Sequence, residues 1–141
     1  MRSGAMSIIT GMTDLAHSVW TPAQVRELDR RASADYGIPG YELMTRAGQA
    51  AFGIARERWP DARRWLLLCG SGNNAGDGYV VARLALAAGL DLTVVALSDP
   101  AQLQGDAATA WRDFESAGGT TQAFAPGLVD ASDLVVDALL G

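Results

Sequence analysis

The sequence predicts an α/β domain built as a doubly wound parallel sheet in three layers, and three observations carry this fold class. Short apolar runs that suit strands alternate with longer stretches of helical periodicity along most of the 141 residues. The run at 65–69, Trp-Leu-Leu-Leu-Cys, is apolar throughout, as expected for a strand buried on both faces. A glycine-rich segment at 70–78 follows directly, where such sheets bind their ligands.

Caps, apolar spacing and turn residues predict the order of the elements. Thr21, followed by Pro22 and Gln24, marks the N-terminus of a first helix. The other predicted elements are a helix at 41–59, strand one at 65–69, a helix that ends at Gly89, strand two at 91–97, a helix after Pro100, strand three at 121–124 and strand four at 134–137. Right-handed crossovers between them give the strand order 3-2-1-4.

The composition excludes several classes of protein. A net charge of −5 and a pI of about 4.6 argue against a surface for nucleic acid or anionic membranes. All eleven basic residues are arginine, so no lysine is available for Schiff-base chemistry. The single cysteine, Cys69, excludes a disulfide framework and is expected to be a buried structural thiol. No apolar run approaches the length of a membrane span, so we expect a cytoplasmic protein with a mobile tail at 1–20.

The segment 70–78, Gly-Ser-Gly-Asn-Asn-Ala-Gly-Asp-Gly, predicts a phosphate-binding turn. Glycines there permit a positive φ and a close approach of the backbone to a ligand, and the helix that follows adds free N–H groups. The segment fits the loose dinucleotide pattern GxGxxA but lacks the Lys-Ser/Thr pair of a P-loop. The residues alone leave two interpretations open: a ligand-binding turn, which we favour, and a tight turn capped by Asn and Asp side chains.

The same segment, together with Val-Asp-Ala-Leu-Leu-Gly at 136–141, resembles the N-terminal domain of the YjeF family, the NAD(P)H-hydrate epimerases. The stretch Leu-Met-Thr-Arg-Ala-Gly at 43–48 is also similar to the family's second helix. Ala75 departs from the family's usual glycine by one methyl group. The resemblance runs from about Thr21 to the last residue and implies a three-layer Rossmann-like fold.

The resemblance also implies an isomerase that interconverts the R and S epimers of hydrated NADH and NADPH, without nucleic-acid or membrane partners. A homodimer is compatible with it. The implied substrate-binding residues are Asn73, Asn74, Ala75, Gly76, Asp77 and Gly141. The implied metal ligands are Asn74 and Asp137, which would hold one potassium ion per subunit. The rest of the family's set lies beyond residue 141, so the complete catalytic set is unknown.

The final motif leads us to expect that residues 21–141 are part of a longer epimerase domain, truncated at its C-terminus and inactive alone. That domain would belong to the N-terminal part of a bifunctional repair enzyme. Two alternatives remain at this point. One is an NAD(P)-dependent oxidoreductase, in which Asp99 would hold the adenine ribose, although its place before Pro100 favours a helix cap. The other is a non-enzymatic binding or scaffold module of the same fold.

Overall fold

The computed structural model describes residues 19–140. Most of the predicted tail at 1–20 and the predicted site residue Gly141 lie outside this range. The elements within it, in chain order, are α1 Pro22–Tyr36, α2 Gly40–Arg58, β1 Arg64–Cys69, α3 Asn73–Ala87, β2 Asp91–Ala96, a 3₁₀ turn Pro100–Gln102, α4 Gly105–Ser116, α5 Gly127–Asp130 and β3 Leu134–Ala138. In the part of the chain described here, every helix is too short or too polar to cross a bilayer.

The three strands form a parallel sheet in the order β2-β1-β3, so the α/β prediction is confirmed with β1 at the centre. Asp133 joins the starts of β1 and β3. Its carboxylate accepts hydrogen bonds from the backbone N–H groups of Arg63 and Arg64, at 3.0 and 2.8 Å, and forms an ion pair with the Arg64 guanidinium. These bonds hold the pKa of Asp133 well below its usual range.

The predicted third strand at 121–124 is reduced to one bridge. Gln122 pairs in parallel with Val95, and the Gln122 N–H donates to the Val94 carbonyl at 2.9 Å. The bridge lies beside β2, so the predicted order is kept. The segment has a neighbour on one side only and is largely exposed, so little burial supports a longer ladder there.

The two faces of the sheet differ in their cover. The inner face carries Trp65, Leu67 and Cys69, each at most 1% exposed, under a layer of helices in which α3 lies against all three strands. Burial raises the pKa of the Cys69 thiol to about 12, so this cysteine is inert, as expected. On the outer face Leu66 and Val95 are buried, whereas Val135 is 40% exposed. The second helix layer of the three-layer prediction therefore stays a prediction.

Helix α1 begins where its cap predicted, and α2 covers Gly40–Arg58 where the sequence predicted a helix at 41–59. The Thr21 hydroxyl accepts the Gln24 N–H at 3.3 Å, and the Gln24 side chain accepts the Thr21 N–H at 2.8 Å. α2 crosses α3 at Gly48, where a Cβ atom would lie 2.5 Å from Val80 Cγ1. Glycine therefore allows the close packing of α2 on α3.

Tyr79 of α3 offers a test of the core. Its side chain is fully buried, and its hydroxyl has no hydrogen-bond partner within residues 19–140. Tyr79→Phe keeps the ring packed on Phe114, with ring centroids 5.9 Å apart, and removes the unpaired hydroxyl. We expect the free energy of unfolding, measured by urea denaturation, to rise by about 1 kcal/mol.

Tyr41→Phe is the matched control, because the Tyr41 hydroxyl donates a hydrogen bond to the Asp113 carboxylate. That variant removes a hydrogen bond and should be less stable than the natural protein. A loss of stability in Tyr79→Phe would mean that its hydroxyl has a partner in solution.

Candidate functional site

The glycine-rich segment forms the first turns of α3. The helix begins at Asn73, with Gly72 as an extended N-cap at φ −103° and ψ −167°. The glycines with positive φ are elsewhere, at Gly37, Gly89, Gly105 and Gly118. The glycines of this segment therefore do not use the positive φ that glycine permits. The segment is helical, and its glycines have another cause.

Packing inside the protein accounts for Gly76. A Cβ atom at this position would lie 2.5 Å from the Met44 sulfur in α2 and 2.9 Å from the Ala107 Cα in α4. Real Cβ contacts are almost never this short, so only glycine lets α3 pass between the two helices. Gly76 brings three helices together at the end of the sheet where ligands bind in such folds.

Two other glycines allow close contacts around the end of β3. A Cβ atom on Gly78 would lie 2.7 Å from the Ala138 Cβ and 3.0 Å from the Cys69 sulfur. Gly70 lies against the carbonyl of Leu139, and its N–H donates to the Ala138 carbonyl at 3.0 Å. The loop after β3 therefore touches the turn after β1.

Asn73 and Asp77 lie one turn apart in α3 and line one cavity of about 480 Å³. Its volume falls in the range of roughly 300–1,000 Å³ typical of small-molecule sites. The cavity lies between α1, α2 and the N-terminal ends of α3 and α4. Its lining residues beyond this pair are Val25, Asp29, Arg30, Ser33, Gly40, Leu43, Met44, Ala47 and Asp106.

Ala75 contributes differently to this site. Its side chain is 1% exposed and belongs to the hydrophobic core. The methyl group by which this sequence departs from the family pattern therefore lies in the core. With Gly76 also buried, these two positions can offer a ligand little beyond their backbone.

Asp77 is half-buried, and burial first and the charge of Asp29 second raise its pKa from 3.8 to about 6. The folded state therefore binds this proton more tightly than the unfolded chain does. Stability that comes from the protonated carboxyl is present below about pH 4 and is lost as the pH rises through about 6.

Asp77→Asn removes the cost of the buried charge. We expect it to raise the free energy of unfolding by about 1 kcal/mol at pH 7.5, a value discounted for partial exposure. The gain should shrink towards pH 4, where the native carboxyl is protonated as well. Thermal melts across this range measure it, with Asp130→Asn on the exposed surface as the control. A gain that is constant with pH would contradict a raised Asp77 pKa.

Asn74 follows the carboxyl end of β1, and Asp137 lies at the carboxyl end of the adjacent strand β3. Asn74 is the second residue of α3 and is half-buried, while Asp137 is the penultimate residue of β3 and is exposed. One oxygen of the Asp137 carboxylate accepts the Leu139 N–H at 3.0 Å, so this side chain stabilises the turn after β3. Among residues 19–140, no three His, Cys, Asp or Glu side chains form a metal-binding group. The shared cation site stays a prediction.

Asp99 caps a turn, as its place before Pro100 suggested. Its carboxylate accepts the Ala101 N–H at 3.0 Å at the start of the 3₁₀ turn. This use of the side chain gives no support to the ribose-binding role that the oxidoreductase alternative assigned to Asp99.

Helices α1 and α4 contribute to the cavity, although the sequence analysis assigned them no part in the site. Asp29 and Ser33 of α1 line the cavity, together with Asp106 of α4. The available signal was the spacing of Val25, Asp29 and Ser33, since positions four residues apart share one helix face. Two of these three are polar, which is unusual on the face that a covering helix turns inward.

Comparison with known proteins gives the chain a family. Residues 40–141 match the family model described as "YjeF-related protein N-terminus". The chain is 47% identical over 127 residues to the bifunctional NAD(P)H-hydrate repair enzyme Nnr of Escherichia coli, covering 90% of this chain. It is 39% identical over 125 residues to the NAD(P)H-hydrate epimerase of Rhodopirellula baltica, covering 86% of this chain.

A solved structure supports the fold. The crystal structure of the yeast protein ynu0 matches 89% of this chain and 57% of its own, with a TM-score of 0.74 and 18% identity. The chain spans 25% of the length of the bifunctional enzyme from Escherichia coli and 51% of the Rhodopirellula baltica epimerase. The activities in the names of these longer proteins are therefore statements about those proteins and not about this chain.

Proposed function

Because the chain belongs to the family of YjeF-related protein N-termini, we propose that it acts in the epimerisation of hydrated NADH and NADPH. One observation carries the proposal: Asn73 and Asp77 of the family's motif line a cavity of ligand size at the N-terminus of α3. The relatives named as epimerase and repair enzyme support the same reaction. The activity assigns this protein to the isomerases.

The chemistry follows from the substrate. Inversion at the hydrated ring carbon requires that its hydroxyl group leave and return on the other face. Protonation of the hydroxyl lets it depart as water while the ring nitrogen's electron pair forms a C=N bond; water then adds to the opposite face and gives up a proton. A group that exchanges protons near neutral pH assists both steps. We assign this role to Asp77, whose raised pKa of about 6 suits it.

Asn74 and Asp137 are the proposed ligands of one potassium ion. Amide and carboxylate oxygens are hard donors that suit such a cation and suit zinc poorly. The contact between Gly70 and the Leu139 carbonyl supports the fit, because it joins the chain just after β1 to the chain just after β3, close in sequence to the two residues. A bound cation would supply positive charge beside the substrate's phosphates. The homodimer and the cytoplasmic location stay predictions.

Interconversion of the two epimers tests the proposed function. The longest form of the protein that its gene encodes is incubated with the pure S epimer of hydrated NADPH, and the R epimer is quantified by chromatography. We expect the two forms to approach equilibrium with no change in the near-ultraviolet absorbance of reduced nicotinamide. A rise in that absorbance would indicate loss of water to give NADPH in place of epimerisation, and an unchanged S epimer would exclude the proposed reaction.

A further inference from the structure

Helix α1 leaves a gap between itself and the rest of the protein. None of its residues is buried, although Val25, Asp29 and Ser33 share one face that lines the cavity. A helix that served only as cover would place apolar side chains on this face and close the gap. In α1 two of the three positions are polar, and the space beside them measures about 480 Å³.

The opposite wall belongs to the proposed substrate site. Asn73 and Asp77 come from the first turns of α3, and Leu43 and Met44 of α2 supply an apolar surface between the two walls. Apolar lining with a few convergent polar groups is the usual character of a small-molecule site. α1 therefore faces the same space as the motif residues.

Three carboxylates decide which part of a nucleotide suits the cavity. Asp29, Asp77 and Asp106 come from three different helices and line the same space. The Asp106 carboxylate lies against Gly40 at the N-terminus of α2, the place where a helix would otherwise favour a phosphate. Carboxylates accept hydrogen bonds and repel anions, so the cavity suits an uncharged group that is rich in donors.

The one arginine of the cavity does not reverse this preference. Arg30 donates to both oxygens of Glu27, at 2.8 Å each, so its charge is already paired on the surface of α1. A phosphate at Arg30 would have to compete with this bidentate pair. The cavity therefore still offers a ligand mainly hydrogen-bond acceptors.

We propose that α1 forms the outer wall of the substrate site and that Asp29 is a specificity-determining residue. Its carboxylate accepts hydrogen bonds from the ribose hydroxyls and carboxamide of the hydrated nicotinamide nucleotide, while the pyrophosphate stays outside the cavity. This inference rests on the proposed function. The proposed site thus contains α1 as well as the motif of α3, and α1 precedes the segment matched by the family model.

Kinetics of Asp29→Ala test the proposal in the longest form of the protein. We expect KM for hydrated NADPH to rise about tenfold or more, because a hydrogen bond to a charged group is lost, while the melting temperature stays close to that of the natural protein. Asp29→Asn keeps one acceptor oxygen and should recover part of the affinity. Asp35→Asn is the matched control, since Asp35 is an exposed acid of α1 that does not line the cavity.

A binding measurement separates this inference from the proposed function. Saturation-transfer NMR with the uncharged, reduced form of nicotinamide riboside should show contact of the ribose protons with the natural protein and a weaker signal with Asp29→Ala. Inorganic pyrophosphate should not displace the riboside. Unchanged KM and riboside signal in an active Asp29→Ala variant would overturn the role of Asp29 alone. An inactive natural protein that binds riboside through Asp29 would instead overturn the epimerase function and keep the site.

Discussion

Gly76→Val is expected to destabilise the fold by about 3 kcal/mol or more, at the upper end of the costs of overpacking. The first added carbon already lies 2.5 Å from the Met44 sulfur and 2.9 Å from the Ala107 Cα. The methionine side chain can move aside, but the backbone of α4 cannot without shifting the helix. Urea denaturation of the variant and the natural protein measures the difference.

Gly53→Val is the matched control for this substitution. Gly53 is also a helical glycine, and a Cβ atom there would meet no atom within 4 Å. Its stability should be unchanged or slightly raised, because valine favours a helix more than glycine does. If Gly76→Val unfolds at the same urea concentration as the natural protein, the packing explanation is wrong. Loss of substrate binding in Gly76→Val would be a consequence of the damaged fold and would not show that Gly76 contacts the substrate.

Asn74→Ala and Asp137→Ala are expected to lower epimerase activity by on the order of 10–100-fold, the range found even for residues that support metal ligands. Each removes a hard oxygen donor from the proposed potassium site. The natural protein should be more active in potassium than in sodium or choline at equal ionic strength. Both variants should lose this preference.

Thermal stability gives a second measurement of the cation site. Potassium that binds only the folded state raises the melting temperature of the natural protein, and neither variant should show this shift. Asp130→Ala and Gln49→Ala, both exposed and outside the cavity, are the controls for the lost carboxylate and the lost amide. Activity indifferent to potassium, with both site variants still active, would exclude a cation shared by Asn74 and Asp137.

The sequence alone determined the architecture, because its signals are local. The apolar run of β1 is buried on both faces only at the centre of a sheet. The capping box of Thr21 and Gln24 forms only at a helix N-terminus. The order of the strands followed from the handedness of the crossovers, which local chirality sets. The segment at 121–124 failed as a strand because its pairing depends on a neighbour and on burial, neither of which is encoded locally.

The motif of α3 shows what sequence could not decide. Its polar residues were recognised, and Asn73 and Asp77 line the cavity, but the glycines were attributed to a ligand. Gly76 is explained by the distance between α2 and α4, which depends on how three helices pack. A glycine required by a neighbouring helix and one required by a phosphate look the same in a sequence, since both only lack a Cβ atom.

Only the tertiary structure assigned α1 to the candidate site. Asp29 precedes Asp77 by 48 positions, and no local pattern connects them. Their proximity results from the way α1 stands off α2, which leaves a cavity instead of a packed interface. The charge of Asp29 raises the pKa of Asp77 across this cavity. An electrostatic effect depends on the distance between two groups in the fold and on their burial, and neither can be read from the amino-acid sequence.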